Sequence, residues 1–483
     1  MIYLIAILAY LVILIAVGAI RSQGVETQED FMVAGRSLTT PILVGTLVAT
    51  WIGTGSIFGA AGLGYQYGIP GIWFSVGAWL GMFLLLFIAG RARALDQFTV
   101  PDIFELRYNR WARLLGSIVI VVAYTGIVSY QLVAGGEVLH IVTGLDPWKG
   151  IIITALFVIT YTALAGMFSV AYTDVANGIV ILLGLVMAFP FIISHAGGIQ
   201  GITETLAPEK FSLFGELNII EALGLSLPTL FLLLGESNMY QRFFSAKDSD
   251  TAQKSTVWWI VGVVFVESLI LLFAVFASAV FPDLVQPDHV IIVAAKEGVP
   301  VIIGCIMLAV IVAVIVSTAD SFLLVPSTNI MRDIYQTFIN REATQHQMVK
   351  YSRYVVVVLG VIAYLQTLPG ESIIDMILRA YTMYGAAITP ALMGAFFFQR
   401  ATTAGGIASI GSGMGMTLVW EIWNLKDKVF QFPLVGETTI PTIYPSLILS
   451  VIGLILVSYL TKPPSNEKIE KFRTKRQQAR YNA

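Results

Sequence analysis

Three acids and one pair of hydroxyls carry most of the chemistry this sequence offers. Glu267 stands in VVFVESLILLF, deep within an apolar run; Asp174 closes AGMFSVAYTD; Asp320 follows Ser317 and Thr318 in VAVIVSTADSFLLVPS. Acids inside so apolar a chain are costly to bury and functional by default. Glu267 must face a bundle interior, where it either holds a proton, meets a polar solute or serves as a hydrogen-bonded structural acid. Asp174 and Asp320 suit cation coupling, or alternatively a cap or salt bridge at a helix end. Val314, Ser317 and Thr318 fall at i, i+3 and i+4 and so share one helix face. Hydroxyl and carbonyl oxygens there suit a hard cation, unless the hydroxyls bond back to the carbonyl four residues earlier. Gln131 is a further polar candidate, and Trp51, beside Thr50 in a glycine-rich run, could stack on or cap a solute.

The remaining residue types narrow the field. The single cysteine, Cys305, rules out an intrachain disulfide framework and a cysteine-cluster metal site, and His140, His195, His289 and His346 lack ligand spacing. Neither a phosphate-binding glycine loop nor a nucleophile–base pair is visible, so an enzyme is not expected. Of the 483 residues 57% are hydrophobic and only 12% charged, with a net charge of -2. Soluble domains carry about twice that charged fraction. A soluble protein, a disordered chain and a nucleic-acid binder are thereby excluded, leaving a polytopic membrane protein in contact with the lipid bilayer.

The elements that must position these side chains are apolar helices of about 20 residues each. Thirteen stretches qualify, numbered here as segments one to thirteen: 2–20, 41–66, 71–90, 114–138, 149–168, 171–195, 220–242, 257–281, 299–325, 353–369, 374–398, 403–421 and 440–461. The expected fold class is an all-α polytopic membrane protein with about 13 transmembrane helices. With the N-terminus outside, 22 of the 28 lysines and arginines fall in inward loops and the tail. The positive-inside rule therefore predicts an outer N-terminus and a cytoplasmic C-terminus in the plasma membrane. Segment one has no basic residue before its apolar run and Arg21 after it, the reverse of a signal peptide. The tail 462–483 is basic and short, suited to lying near anionic lipid.

Glycine density marks where a membrane helix is interrupted, because irregular backbone is tolerated only where it lines a cavity or binds something. Segment two reads LVATWIGTGSIFGAAGLGYQYG, with Thr54 and Ser56 among six glycines. It is either a small-residue packing face or a discontinuous helix whose freed carbonyls meet an ion and whose half-helix ends meet a solute. Five segments later Gly224, Pro228 and Gly235 interrupt segment seven. Paired interruptions predict two inverted repeats of five helices, segments two to six and seven to eleven. The corresponding divisions are 1–40 for an extra helix and loop, 41–200 and 201–401 for the repeats, 402–461 for two further helices and 462–483 for the tail.

Several stretches resemble the sodium:solute symporter family. They are EDFMVAGRSL from Glu29, LAGMFSVAYTD from Leu164 with Ala165 in place of a family glycine, YQRFFSAK from Tyr240, STADSFLL from Ser317, and RAYTMYGAAITPALMGAFFFQR from Arg379. The resemblance covers almost the whole chain. It implies a LeuT-like 5+5 inverted-repeat core and sodium-driven import of a small solute, with sodium as the coupling ion. One sodium would lie between segments two and nine, on the carbonyls of Ala49, Ile52 and Val314 and the hydroxyls of Ser317 and Thr318. Asp174 matches a family aspartate implicated in cation coupling. The layout of the sugar-transporting members places Thr229 and Glu267 against solute, Glu267 replacing a lysine, and adds to the candidates Trp51, Thr54, Ser56 and Gln131. The second segment resembles the pantothenate version more than the proline version, with Gly53, Thr54 and Gly55 departing from both. The solute expected is small and amino-acid-like or carboxylate-bearing.

Two rivals share the scaffold. A proton-coupled transporter would use Glu267 or Asp174 in place of sodium, and a solute sensor would bind without transporting. The sequence offers no cytoplasmic signalling domain for the latter and fixes no oligomeric state.

Overall fold

The computed structural model describes residues 2–22, 27–164, 167–367, 372–432 and 436–472. Each of the thirteen apolar stretches is helical over most of its length, and the helix starts follow from local side chains. Asn109 accepts from the amides of Trp111 and Ala112 to start the Arg110–Thr143 helix of segment four. Asn218 and Glu221 form a capping box at the head of segment seven, as do Thr344 and Gln347 for segment ten, and Asp248 caps the Ser249–Val280 helix of segment eight. Such caps supply acceptors for amides that the first turn leaves free.

Seven helices among the described residues are long and apolar enough to cross a bilayer, and an eighth is added if the two bent halves of segment two count as one. Segments one, three and five contribute shorter apolar helices. The Val301–Asn329 helix of segment nine lies at the centre, with every residue from Met307 onward buried. Segments one, four and six pack around it. Segment eleven, Ile373–Phe397, packs on segments four, seven and twelve, and segment three on segment seven. Apolar side chains left exposed on the outer helices, such as Ile152, Leu156, Ile448 and Ile452, form the surface that lipid covers.

Two expectations need amendment. The chain is not wholly helical: strands β1, Val429–Phe432, and β2, Gly436–Thr439, pair antiparallel between segments twelve and thirteen. Segment seven is broken, but not at Gly224 or Pro228, which lie inside the Ile219–Gly235 helix. The break falls at Glu236 (φ -55°, ψ 105°), before the Ser237–Ser245 helix. Pro228 lacks only one amide bond, whereas at Gly235 the Tyr384 hydroxyl takes the carbonyl oxygen at 2.6 Å and so replaces a helical donor.

The arginine-rich end is held by a cluster of ion pairs centred on the buried Asp102 and Asp333. Arg113, at the base of segment four, bonds Asp333 at 2.6 Å, Asp102 at 2.7 Å and Glu105 at 2.5 Å, while Arg332 bonds Asp102 at 3.0 Å. These contacts join the short Val100–Arg107 helix to the extension of segment nine beyond Asn329.

Candidate cation and solute site

Segment two consists of Thr40–Trp51 and Gly55–Tyr67, bent by 52° across the residues between them. Ile52 leaves the helix at ψ 85°. The amide of Gly53 then donates to Trp51 O at 2.9 Å instead of Ala49 O, and that of Ser56 to Gly53 O at 3.1 Å instead of Ile52 O. The carbonyls of Ala49 and Ile52 thus lose the donors a continuous helix would give them. A methyl group on Gly53 would stand 2.7 Å from Thr318 Oγ1, so segment nine presses directly on the break.

Ser317 Oγ and Thr318 Oγ1 are buried and make no hydrogen bond. Elsewhere in the bundle the hydroxyls of Ser117, Ser245 and Thr256 bond back to the carbonyl four residues earlier. Ser317 and Thr318 do not, so the packing explanation of this face leaves their oxygens unaccounted for. Val314, on the same face, is fully buried. These oxygens and the diverted carbonyls make a neutral set of the kind a hard monovalent cation uses.

Asp174 lies beside Ser317. Its Oδ2 accepts from Thr46 Oγ1 at 2.7 Å, Thr50 Oγ1 at 3.3 Å and Arg242 Nη2 at 3.1 Å, while Oδ1 has no partner. Arg242 also donates to Ser321 Oγ at 3.0 Å, and Ser321 Oγ to Asp320 Oδ1 at 3.3 Å. Asp174 is therefore salt-bridged, and Asp320 joins the same buried network through Ser321. Ala165 lies outside the described residues.

Glu267 sits in the middle of segment eight, 2% exposed. Its Oε1 accepts from Trp51 Nε1 at 2.9 Å and Ser56 Oγ at 3.1 Å, and its Oε2 from Trp79 Nε1 at 2.7 Å. Three of the sequence candidates, Trp51, Ser56 and Glu267, thus meet at the break. Thr54 and Gln131 form a second pair, joined by a hydrogen bond and both fully buried, with Gln131 Nε2 left unpartnered. Thr229 stands apart: its hydroxyl is occupied by Phe74 O and Ser226 O, both at 2.8 Å. Trp79 was not among the candidates, because an indole in an apolar segment reads as packing. Arg242 lay within a quoted stretch without a role.

Segment eleven touches both interruptions with one turn. The Tyr381 hydroxyl is 2.5 Å from where a Gly55 Cβ would be, and the Tyr384 hydroxyl accepts from Ser237 N at 3.0 Å while bonding Gly235 O. Glu236 itself is buried and bonded to the Tyr124 hydroxyl.

The family model for sodium:solute symporters matches residues 31–413. The chain belongs to the sodium:solute symporter family. Its activity is sodium-coupled symport and not enzymatic catalysis. Among its relatives, the sodium/proline symporter of Staphylococcus aureus is 28% identical over 95% of this chain and 93% of its own length. Among solved structures, a sodium-coupled sialic acid symporter in a substrate-bound outward-open state superposes with a TM-score of 0.81 at 18% identity, over 96% of this chain and 99% of that one. A nucleobase–cation symporter in a closed conformation gives 0.62 at 12% identity, over 92% and 97%, and MhsT in complex with L-phenylalanine 0.55 at 14%, over 87% and 97%. These neighbours share the LeuT fold.

At the end of the symporter away from the arginine-rich loops lies a cleft of ≈ 550 Å³, lined in part by Glu137, Asp146, Trp148, Asp288 and His289. Burial holds the His289 imidazole below its ordinary value, with Asp288 and Glu137 acting in the opposite direction. The Glu137 carboxylate is 3.8 Å from His289 Nε2.

Proposed function

We propose that this symporter imports a small organic solute, amino-acid-like or carboxylate-bearing, by alternating access, with sodium bound between segments two and nine. The ligands are the carbonyls of Ala49, Ile52 and Val314 and the hydroxyls of Ser317 and Thr318, and Asp174 couples the site to Arg242. One observation carries this reading: two buried, unpartnered hydroxyls face a break whose carbonyls have lost their helical donors. Solute binds beside it, among Trp51, Thr54, Ser56, Gln131 and Glu267. The excess of basic residues in alternate loops supports an outer N-terminus, which makes the ≈ 550 Å³ cleft the outer approach. The two breaks, five segments apart, support the five-plus-five arrangement within thirteen spans and the division of the chain at 41–200 and 201–401. Each sodium entering down the membrane potential contributes about 2.3 kcal/mol per 100 mV, about fiftyfold in accumulation.

The test is sodium-dependent uptake into proteoliposomes by wild type and by the Ser317→Ala/Thr318→Ala double variant. An unchanged sodium requirement in the double variant would overturn the assignment. A second reading, proton coupling, is favoured by Glu267, a buried acid whose hydrogen-bond partners are all neutral. Uptake driven by a pH gradient in sodium-free medium would establish it.

A further inference from the structure

We infer that the group this symporter recognises in its solute is a cationic nitrogen, and that Glu267 is its counter-ion. The inference rests on the solute site proposed above and sharpens it.

The buried acids of the arginine-rich half have their cations in the chain: Asp174 pairs directly with Arg242, which also reaches Asp320 and Glu236 through Ser321 and Asn238, and Asp102 and Asp333 share Arg113. Glu267 is as deeply buried, yet its hydrogen bonds come from indoles and serine hydroxyls, all neutral. Neutral donors orient a carboxylate and offset part of its desolvation, but they leave its charge uncompensated in a medium of low dielectric. The most economical source of the missing charge at a transport site is the transported solute.

The geometry of the break adds an independent reason. In discontinuous membrane helices the N-terminal end of a half-helix is where an anionic group of the solute docks. Here Ser56, in the first turn of the Gly55–Tyr67 half, donates to Glu267 Oε1 at 3.1 Å. The protein's own carboxylate is thus already hydrogen-bonded to the first turn of that half-helix. What the site lacks is therefore a positive group, and a solute whose only charge is negative would meet Glu267 at close range. Trp51 and Trp79 reach Glu267 from segments two and three and bond different oxygens through their ring-edge N–H groups, which fixes the carboxylate where a solute would meet it.

The test uses full-length symporter in proteoliposomes under an inward sodium gradient, with mass-spectrometric readout of uptake from a mixture. The mixture pairs amino acids, simple amines and betaines with counterparts lacking the charge, such as L-proline with N-acetyl-L-proline and cyclopentanecarboxylate. Sodium-dependent thermal stabilisation without solute is measured on the same preparations. Uptake confined to solutes with a cationic nitrogen, reduced at least tenfold in Glu267→Gln and less in Glu267→Asp, is the expected result. Accumulation of the uncharged or purely anionic counterparts, amine uptake that survives Glu267→Gln, or no uptake of any amine by wild type would overturn the inference. The sodium-dependent shift separates this from failure of the sodium site: if it persists, only the solute assignment falls. The same shift shows that each variant is folded, and the wild-type selectivity does not depend on any variant.

Discussion

Gly53 and Thr318 are in such close contact that a single methyl group on the glycine would stand 2.7 Å from the threonine hydroxyl oxygen and 3.0 Å from its methyl carbon. This contact sets the depth to which segment nine enters the interruption of segment two, and hence the distance between the hydroxyls and the freed carbonyls.

Gly53→Ala is accordingly expected to displace Thr318 and widen the cation site. Overpacking of this kind costs about 1–3 kcal/mol. The sodium concentration for half-maximal uptake should rise about 5- to 160-fold if that cost falls on the sodium-bound form. An alanine variant with wild-type sodium dependence would show that the contact does not shape the site.

Thr318→Val keeps the shape of the side chain and removes an oxygen that has no partner. Burying an unsatisfied hydroxyl is unfavourable by about 1–3 kcal/mol, so in sodium-free buffer the variant should unfold at the same temperature as wild type or higher. The stabilisation that sodium adds should be lost. Lower stability without sodium would instead mark the hydroxyl as structural.

Trp79→Phe retains a ring on segment three but deletes the 2.7 Å bond to Glu267 Oε2. A hydrogen bond to a charged group contributes about 1.5–3 kcal/mol, so solute affinity should fall about tenfold or more. Calorimetric titration of sodium alone should be unchanged, since Trp79 lies on the solute side of the break.

Breaking the ion cluster at the arginine-rich end should be far more damaging to folding. Asp333→Asn leaves Arg113 buried with one charged partner fewer, and loss of one member of a buried pair costs about 3–5 kcal/mol. The variant should show a marked drop in melting temperature with the sodium-induced increment preserved.

His289 predicts an acid-sensitive component of stability. Its folded-state value lies below the ordinary 6.5, so the unfolded chain binds more protons between the two values. Stability is full above about pH 6.5 and declines as the pH falls below it. His289→Gln should flatten that decline in thermal unfolding measured between pH 7 and pH 5.

Much of this site was legible before the structure because it is written in local spacing. The i, i+3, i+4 face of Val314, Ser317 and Thr318 and the glycine-rich break of segment two follow from helical geometry and from the rarity of irregular backbone in a membrane. The partners of the acids do not follow, since Trp79 and Glu267 are 188 residues apart and Arg242 and Asp174 are 68 apart. Of the three residues expected to interrupt segment seven only Gly235 adjoins the break, for a related reason. Proline and glycine report what a helix can tolerate, whereas the break at Glu236 is made by hydroxyls arriving from other segments. Thr229 illustrates the converse: a polar residue at a promising position spends its hydroxyl on helix packing.

Tyr381 and Tyr384 sit three residues apart on one helix, the first against Gly55 and the second against Gly235 and Ser237. One turn of segment eleven is thus a fulcrum common to both hinges of the molecule. A rearrangement at either hinge displaces a tyrosine that shares a rigid backbone with the tyrosine guarding the other. The interruptions of segments two and seven are tied to each other by that turn, with no need for a relay through the ligands themselves.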